Sequence, residues 1–131
     1  MKTHVFRLHP GDDLKMCLED YVRRHEISAS VILSCVGSLR KLRVRDASGV
    51  NIQELLQECD IVSATGTAGC SRLHVHISCS REDLSVIGGH LTEGCIIKTT
   101  AEIVLLELES VSFEKEYDPS TGYNELKIAA K

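Results

Sequence analysis

Three histidines carry the clearest chemistry in this chain, and their spacing is what groups them. Leu73-His74-Val75-His76-Ile77-Ser78-Cys79 alternates apolar and polar. On a strand of period two, Leu73, Val75, Ile77 and Cys79 face a core while His74, His76 and Ser78 share the opposite face. The next strand-like run ends in Gly88-Gly89-His90-Leu91. A three-residue hairpin loop around Arg81 to Asp83 would set His90 directly opposite His74, with His76 two residues along on the same face. Three neutral imidazoles suit Zn²⁺, and three protein ligands with one position open is the pattern of catalytic rather than structural zinc. A one-residue slip in register removes His90 from that face. Without a metal, the same residues read as two surface or half-buried histidines on a strand and an unrelated third.

The remaining reactive side chains offer less. Glu93, Glu102 and Glu107 read either as general bases near the histidines or as edge charges. Thr99 and Thr100 have no base at a defined spacing, so no nucleophilic triad is expected. His4, His9 and His25 have no partner at ligand spacing and read as surface or capping residues. The six cysteines, Cys17, Cys35, Cys59, Cys70, Cys79 and Cys95, include no C-x-x-C pair. Most of them are expected to be small buried hydrophobes.

These side chains have to be positioned by an α+β scaffold. Leu14, Cys17, Leu18, Tyr21, Val22 and His25 fall on one stripe of a 3.6-residue period, which predicts an amphipathic helix over about 12–25. Asp12 or Asp13 can accept hydrogen bonds from its free amides. Strands are expected over 3–8, 30–36, 39–45, 59–67, 72–79, 84–91, 96–98 and 100–108. A polar loop with a short helical turn is expected over 46–58, and a turn at Asp118-Pro119-Ser120-Thr121-Gly122 precedes a short segment over 123–128. Many strands and one strong helix predict a mainly antiparallel sheet with one principal helix, as a single domain over 1–131. Ile103-Val104-Leu105-Leu106 is apolar on both faces, which calls for cover on both sides, from loops of the same chain or from a neighbouring subunit.

Composition narrows the function classes. The chain has 131 residues, 15 Lys and Arg against 19 Asp and Glu, and a net charge of −4, which disfavours nucleic-acid binding by bulk charge. Aromatics are 4% and Trp is absent, so base stacking has few platforms. Arg40, Lys41, Arg43 and Arg45 form the one basic cluster, read first as charges guarding a strand edge and second as a few phosphate contacts. No run approaches the roughly 20 apolar residues of a membrane helix. The first residues lack an apolar signal core, so the expected location is the cytoplasm, with the nucleus as the alternative.

The ordered set Leu8-His9-Pro10-Gly11-Asp12-Asp13-Leu14, Ser34-Cys35-Val36-Gly37-Ser38-Leu39, Leu73-His74-Val75-His76, Gly88-Gly89-His90-Leu91 and Thr99-Thr100-Ala101-Glu102-Ile103 resembles the PPC domain, the plants-and-prokaryotes conserved domain. The stretch Asp118 to Leu126 is similar to that family's ending. The resemblance implies a homotrimer with the H-x-H and G-G-H histidines near a subunit boundary. In some members these residues hold a metal, which maps onto His74, His76 and His90. In plants the domain accompanies AT-hooks, but this chain has no Arg-Gly-Arg-Pro. Cys59-Asp60-Ile61-Val62 stands where plant members tend to have Arg-Phe-Glu-Ile, used in partner contacts, and Lys115 stands where many relatives have Arg. The expectation is therefore a metal-binding, self-associating protein with a binding or regulatory role, the metal being zinc or another divalent ion with a small-molecule ligand. One alternative is a metal-dependent enzyme whose open coordination position activates water or polarises a carbonyl. The other is a DNA-associated transcriptional regulator acting by analogy with AT-hook relatives, although direct nucleic-acid binding is not expected.

Overall fold

Asp13 starts the helix and ties it to the sheet. In the computed structural model, which describes residues 1–131, its Oδ1 accepts the Met16 amide at 3.1 Å and its Oδ2 accepts the Gly94 amide at 2.8 Å. One carboxylate thus satisfies a free helix N–H and a loop N–H. The helix, α1, spans Leu14–Arg24 after strand β1 (Lys2–Leu8), and Leu14, Leu18 and Val22 are buried along its inner stripe. Each such side chain contributes about 2 kcal/mol by leaving water. Arg23 and Arg24 close the last turn, where positive charge suits the helix dipole.

The helix lies on a sheet built from β1, β2 (Ser30–Arg45), β3 (Ile52–Leu55), β4 (Cys59–Gly69), β5 (Arg72–Ser80), β6 (Val86–Leu91) and β7 (Ile96–Glu107). The strand order is β1-β7-β2-β4-β5-β6 with β3 added to β2, and every pairing is antiparallel. β6 also returns to β2, where Val44 pairs with Leu91 and Arg45 with His90. The sheet therefore curls until β2, β4, β5 and β6 close on one another. Ile97, Ala101, Ile103, Leu105, Leu39, Leu42, Val75, Ile77 and Leu91 fill the inside against the helix. A separate hairpin, β8 (Val111–Asp118) and β9 (Tyr123–Ala130), completes the α+β architecture.

The expected short strands at 30–36 and 39–45 are one strand, as are those at 96–98 and 100–108. Gly37 does not end β2. It sits where a Cβ would stand 2.0 Å from the Thr100 carbonyl oxygen, so glycine here lets β7 approach while the strand continues through register shifts. The expected helical turn within 46–58 is instead β3, paired with Leu42 to Arg45. β2 outruns β4 at this end, and its free edge amides and carbonyls are better satisfied by a strand than by a helical turn. The short segment expected at 123–128 is the second strand of a hairpin.

Ile103 and Leu105 of β7 are fully buried under the helix, whereas Val104 and Leu106 point to the other face and are half-buried. Val5, Leu33, Val36 and Val62 are also exposed, at 71%, 60%, 53% and 57%. No helix of the chain is long and apolar enough to cross a membrane.

Candidate metal centre

β5 and β6 bring the three histidines together through a register different from the expected one. His76, not His74, lies opposite His90. The loop between the strands runs from Arg81 to Ser85, closed by the Arg81 amide on the Ser85 carbonyl at 2.9 Å, with Asp83 Oδ1 accepting the Ser85 amide at 2.9 Å. Two more loop residues than expected shift the pairing by two, an even number that leaves all three side chains on the outer face. Ring centroids are 5.0 Å apart for His74 and His76, 5.3 Å for His74 and His90, and 5.6 Å for His76 and His90. One nitrogen from each ring lies within 4.8 Å of the others, and no further His, Cys, Asp or Glu joins the group.

The chemistry of this set suits a divalent metal. Burial, then the Arg45 charge and the other two imidazoles, lower the His90 pKa to about 4. Burial, then the Arg72 guanidinium, also lower that of His74. Both rings are therefore neutral near pH 7, the state in which imidazole donates a lone pair to a metal. His90 Nδ1 is buried and has no hydrogen-bond partner. An unsatisfied buried nitrogen costs free energy that coordination, or a bound water, would recover. The His74 Nδ1 accepts from Arg72 Nη2 at 3.3 Å, and Arg72 itself lies 3.8 Å from Glu125 of β9.

A cleft of about 440 Å³ opens beside the group, lined by Arg45, Ser63, Thr65, His76, Ser78 and His90 among others. Arg45 reaches it because β6 pairs with the end of β2, and Ser63 and Thr65 because β4 pairs with β5. Sequence reasoning missed these three as site residues. Arg45 read as one charge of a basic cluster, and only the closure of β6 onto β2 separates it from the rest. Gly88 and Gly89 serve that closure: a Cβ would stand 2.0 Å from the Ile77 carbonyl oxygen at Gly88 and 2.5 Å from the Arg45 carbonyl oxygen at Gly89.

Of the other expectations, those for the three glutamates and His4 are corrected, and those for His9, His25 and the cysteines hold. Glu107 is not near the cluster: it accepts from His4 Nε2 at 2.7 Å at the other end of the sheet. Glu102 pairs across from Arg7, and the Glu93 carbonyl holds Arg43, so none of the three glutamates lines the cleft. His4 is buried rather than a surface residue, at 7% exposure. His9 and His25 are exposed, and His25 caps the helix C-terminus. Four of the six cysteines are buried, and all six are free. The edge carrying Lys41 and Arg43 is covered by β3, whose Glu54 lies 3.0 Å and 3.9 Å from them.

Known proteins are similar to this chain in sequence and fold. Over 128 residues the chain is 38% identical to the bifunctional protein GlmU of a Synechococcus species, covering 98% of this chain and 20% of the relative. The chain thus spans about a fifth of the length of the curated relatives it matches. A protein structure from Salmonella enterica superposes with a TM-score of 0.96 at 29% identity, covering 99% of this chain and 94% of that one. A metal-containing protein from Archaeoglobus fulgidus superposes with a TM-score of 0.79 at 26% identity, covering 97% and 94%. The model of the Plants and Prokaryotes Conserved (PCC) domain, the domain abbreviated PPC above, matches residues 1–109, and the chain belongs to that family.

Proposed function

We propose that His74, His76 and His90 hold a divalent metal ion, zinc by preference, and that the protein is a self-associating domain with a binding or regulatory role. The observation that carries this reading is the gathering of three imidazole rings with one nitrogen each within 4.8 Å, the His90 ring also carrying a buried, unpartnered Nδ1. The donor set supports zinc because three neutral nitrogens without a carboxylate suit a borderline-soft ion better than magnesium or calcium. That the superposing Archaeoglobus fulgidus protein is metal-containing adds support. In this reading the three rings would hold the ion, Arg45 sets the charge beside them, and the bound ion would supply a Lewis acid.

A catalytic role is the second reading, favoured by the 440 Å³ cleft that His76 and His90 line. A binding role is preferred because the cleft is lined by a single carboxylate, Asp46, held in a loop turn. Its Oδ1 accepts the Ser48 amide at 3.0 Å and also bonds the Ser48 hydroxyl. Self-association as a homotrimer is supported by the apolar outer face of the sheet, continuous with the face that carries the histidines. Direct DNA binding has little support, since Lys41 and Arg43 are paired with Glu54.

Elemental analysis of protein purified without chelator tests the metal. Bound zinc is expected in the wild type and its loss in His74→Ala, His76→Ala and His90→Ala. No bound divalent ion, or unchanged content in all three variants, overturns the reading.

A further inference from the structure

Arg45 is a permanent cation lining the cleft, and it forms no ion pair. Its Nε is buried without a hydrogen-bond acceptor, and no carboxylate lies within 4.0 Å of its guanidinium. Lys41 and Arg43 share Glu54, and Arg72 has Glu125. The neighbouring Asp46 also lines the cleft, but its Oδ1 is taken up by the Ser48 amide and hydroxyl, and it forms no ion pair with Arg45. A guanidinium cannot shed its proton, so a buried N–H without an acceptor is a standing cost. Water would satisfy the N–H but would leave the charge uncompensated. Arg45 pairs across the strands with His90, so its charge stands beside the histidine cluster. The nearby hydroxyls of Ser63 and Ser78 bond each other at 2.9 Å and keep further capacity toward the cleft.

We infer that this cleft binds an oxyanion, the carboxylate or phosphate group of a small molecule, gripped by the Arg45 guanidinium. A second oxygen of the same group faces His76 and His90, which line the cleft, and that contact rests on the metal reading above. The planar fork of arginine matches two oxygens of a carboxylate or phosphate, and a charge-assisted bond there is stronger than a neutral one. Metal loading sharpens the demand, because a divalent ion on neutral imidazoles beside Arg45 gathers positive charge that an anion offsets. The cleft, at about 440 Å³, is of a size to admit a small molecule.

Calorimetric titration with inorganic phosphate and with malonate, against chloride at matched ionic strength, tests this on metal-free and zinc-loaded protein. At least one of the two anions is expected to bind the wild type, with the tighter one naming the class. Arg45→Gln is expected to weaken binding about 10- to 100-fold, and Arg45→Lys, which keeps the charge and loses the fork, by less. Arg40→Gln, at an exposed position outside the cleft, leaves it unchanged. If Arg45→Gln fails to fold, the lysine variant and the wild-type titrations still decide. Absence of binding to both wild-type forms at millimolar anion overturns the inference, as does affinity unchanged in both Arg45 variants. Arg45-dependent binding by protein that takes up no zinc keeps the inference and removes the metal reading. Zinc uptake without anion binding does the reverse.

Discussion

His4 has both ring nitrogens engaged in a buried setting. Nε2 donates to Glu107 at 2.7 Å, Nδ1 lies 3.2 Å from the Tyr21 hydroxyl, and Tyr21 stacks on Phe6 with centroids 3.9 Å apart. The cluster pins the first strand, the last long strand and the helix to one another. His4→Ala is expected to lower stability by about 2 kcal/mol, because Glu107, with a side chain 14% exposed, loses its partner. Urea midpoints measure it, and a variant as stable as the wild type shows that solvent already serves Glu107. At the histidine cluster the balance of charge runs the other way: Arg72 and Arg45 both favour neutral rings at His74 and His90. The same two cations would repel a bound metal, so the Arg72 contact with Glu125 and an anion at Arg45 would each ease that repulsion.

Three loops share one local device. Asp46, Asp83 and Asp118 each accept the amide of the serine two residues on, at 3.0, 2.9 and 2.8 Å, and each also bonds that serine's hydroxyl. Such turns fix the direction of the chain between strands. The hydrogen bonds from Ser48, Ser85 and Ser120 hold all three carboxyl pKa values below the ordinary 3.8. A pKa lowered in the folded state contributes stability that is present above 3.8 and is lost as pH falls through the folded value. Asp83→Asn is therefore expected to cost stability at pH 7 and to lessen the further loss on acidification below pH 4. Denaturant midpoints at the two pH values check it; equal acid sensitivity in variant and wild type would remove Asp83 from the account. The Asp83 turn matters to the site because it sets the register in which His76 meets His90.

At the scale of the whole molecule, the sheet has one face under the helix and one face bare. Val5 and Val104 are cross-strand partners on the bare face, with Leu33, Val36 and Val62 exposed nearby. A second copy covering these residues would approach the histidine face, which belongs to the same side of the sheet. Light scattering at micromolar concentration is expected to give about three times the chain's 14.5 kDa, and Val62→Asp to reduce it. A monomer mass for the wild type removes the trimer proposal.

The amino-acid sequence by itself determined the helix, the alternating faces of β5 and the three histidines as a group, because periodicity depends only on neighbouring residues and tertiary packing seldom overrules a strong pattern. An even error in register was harmless to the site for the same reason. Only the tertiary structure decided that His76 faces His90, that β3 exists, that His4 is buried, and that Arg45 stands alone in the histidine cleft. Each depends on which distant backbone edges meet, as when the end of β2 runs past β7 and is captured by β6. Loop geometry and the curl of the sheet settle such meetings, and neither leaves a periodic trace along the chain.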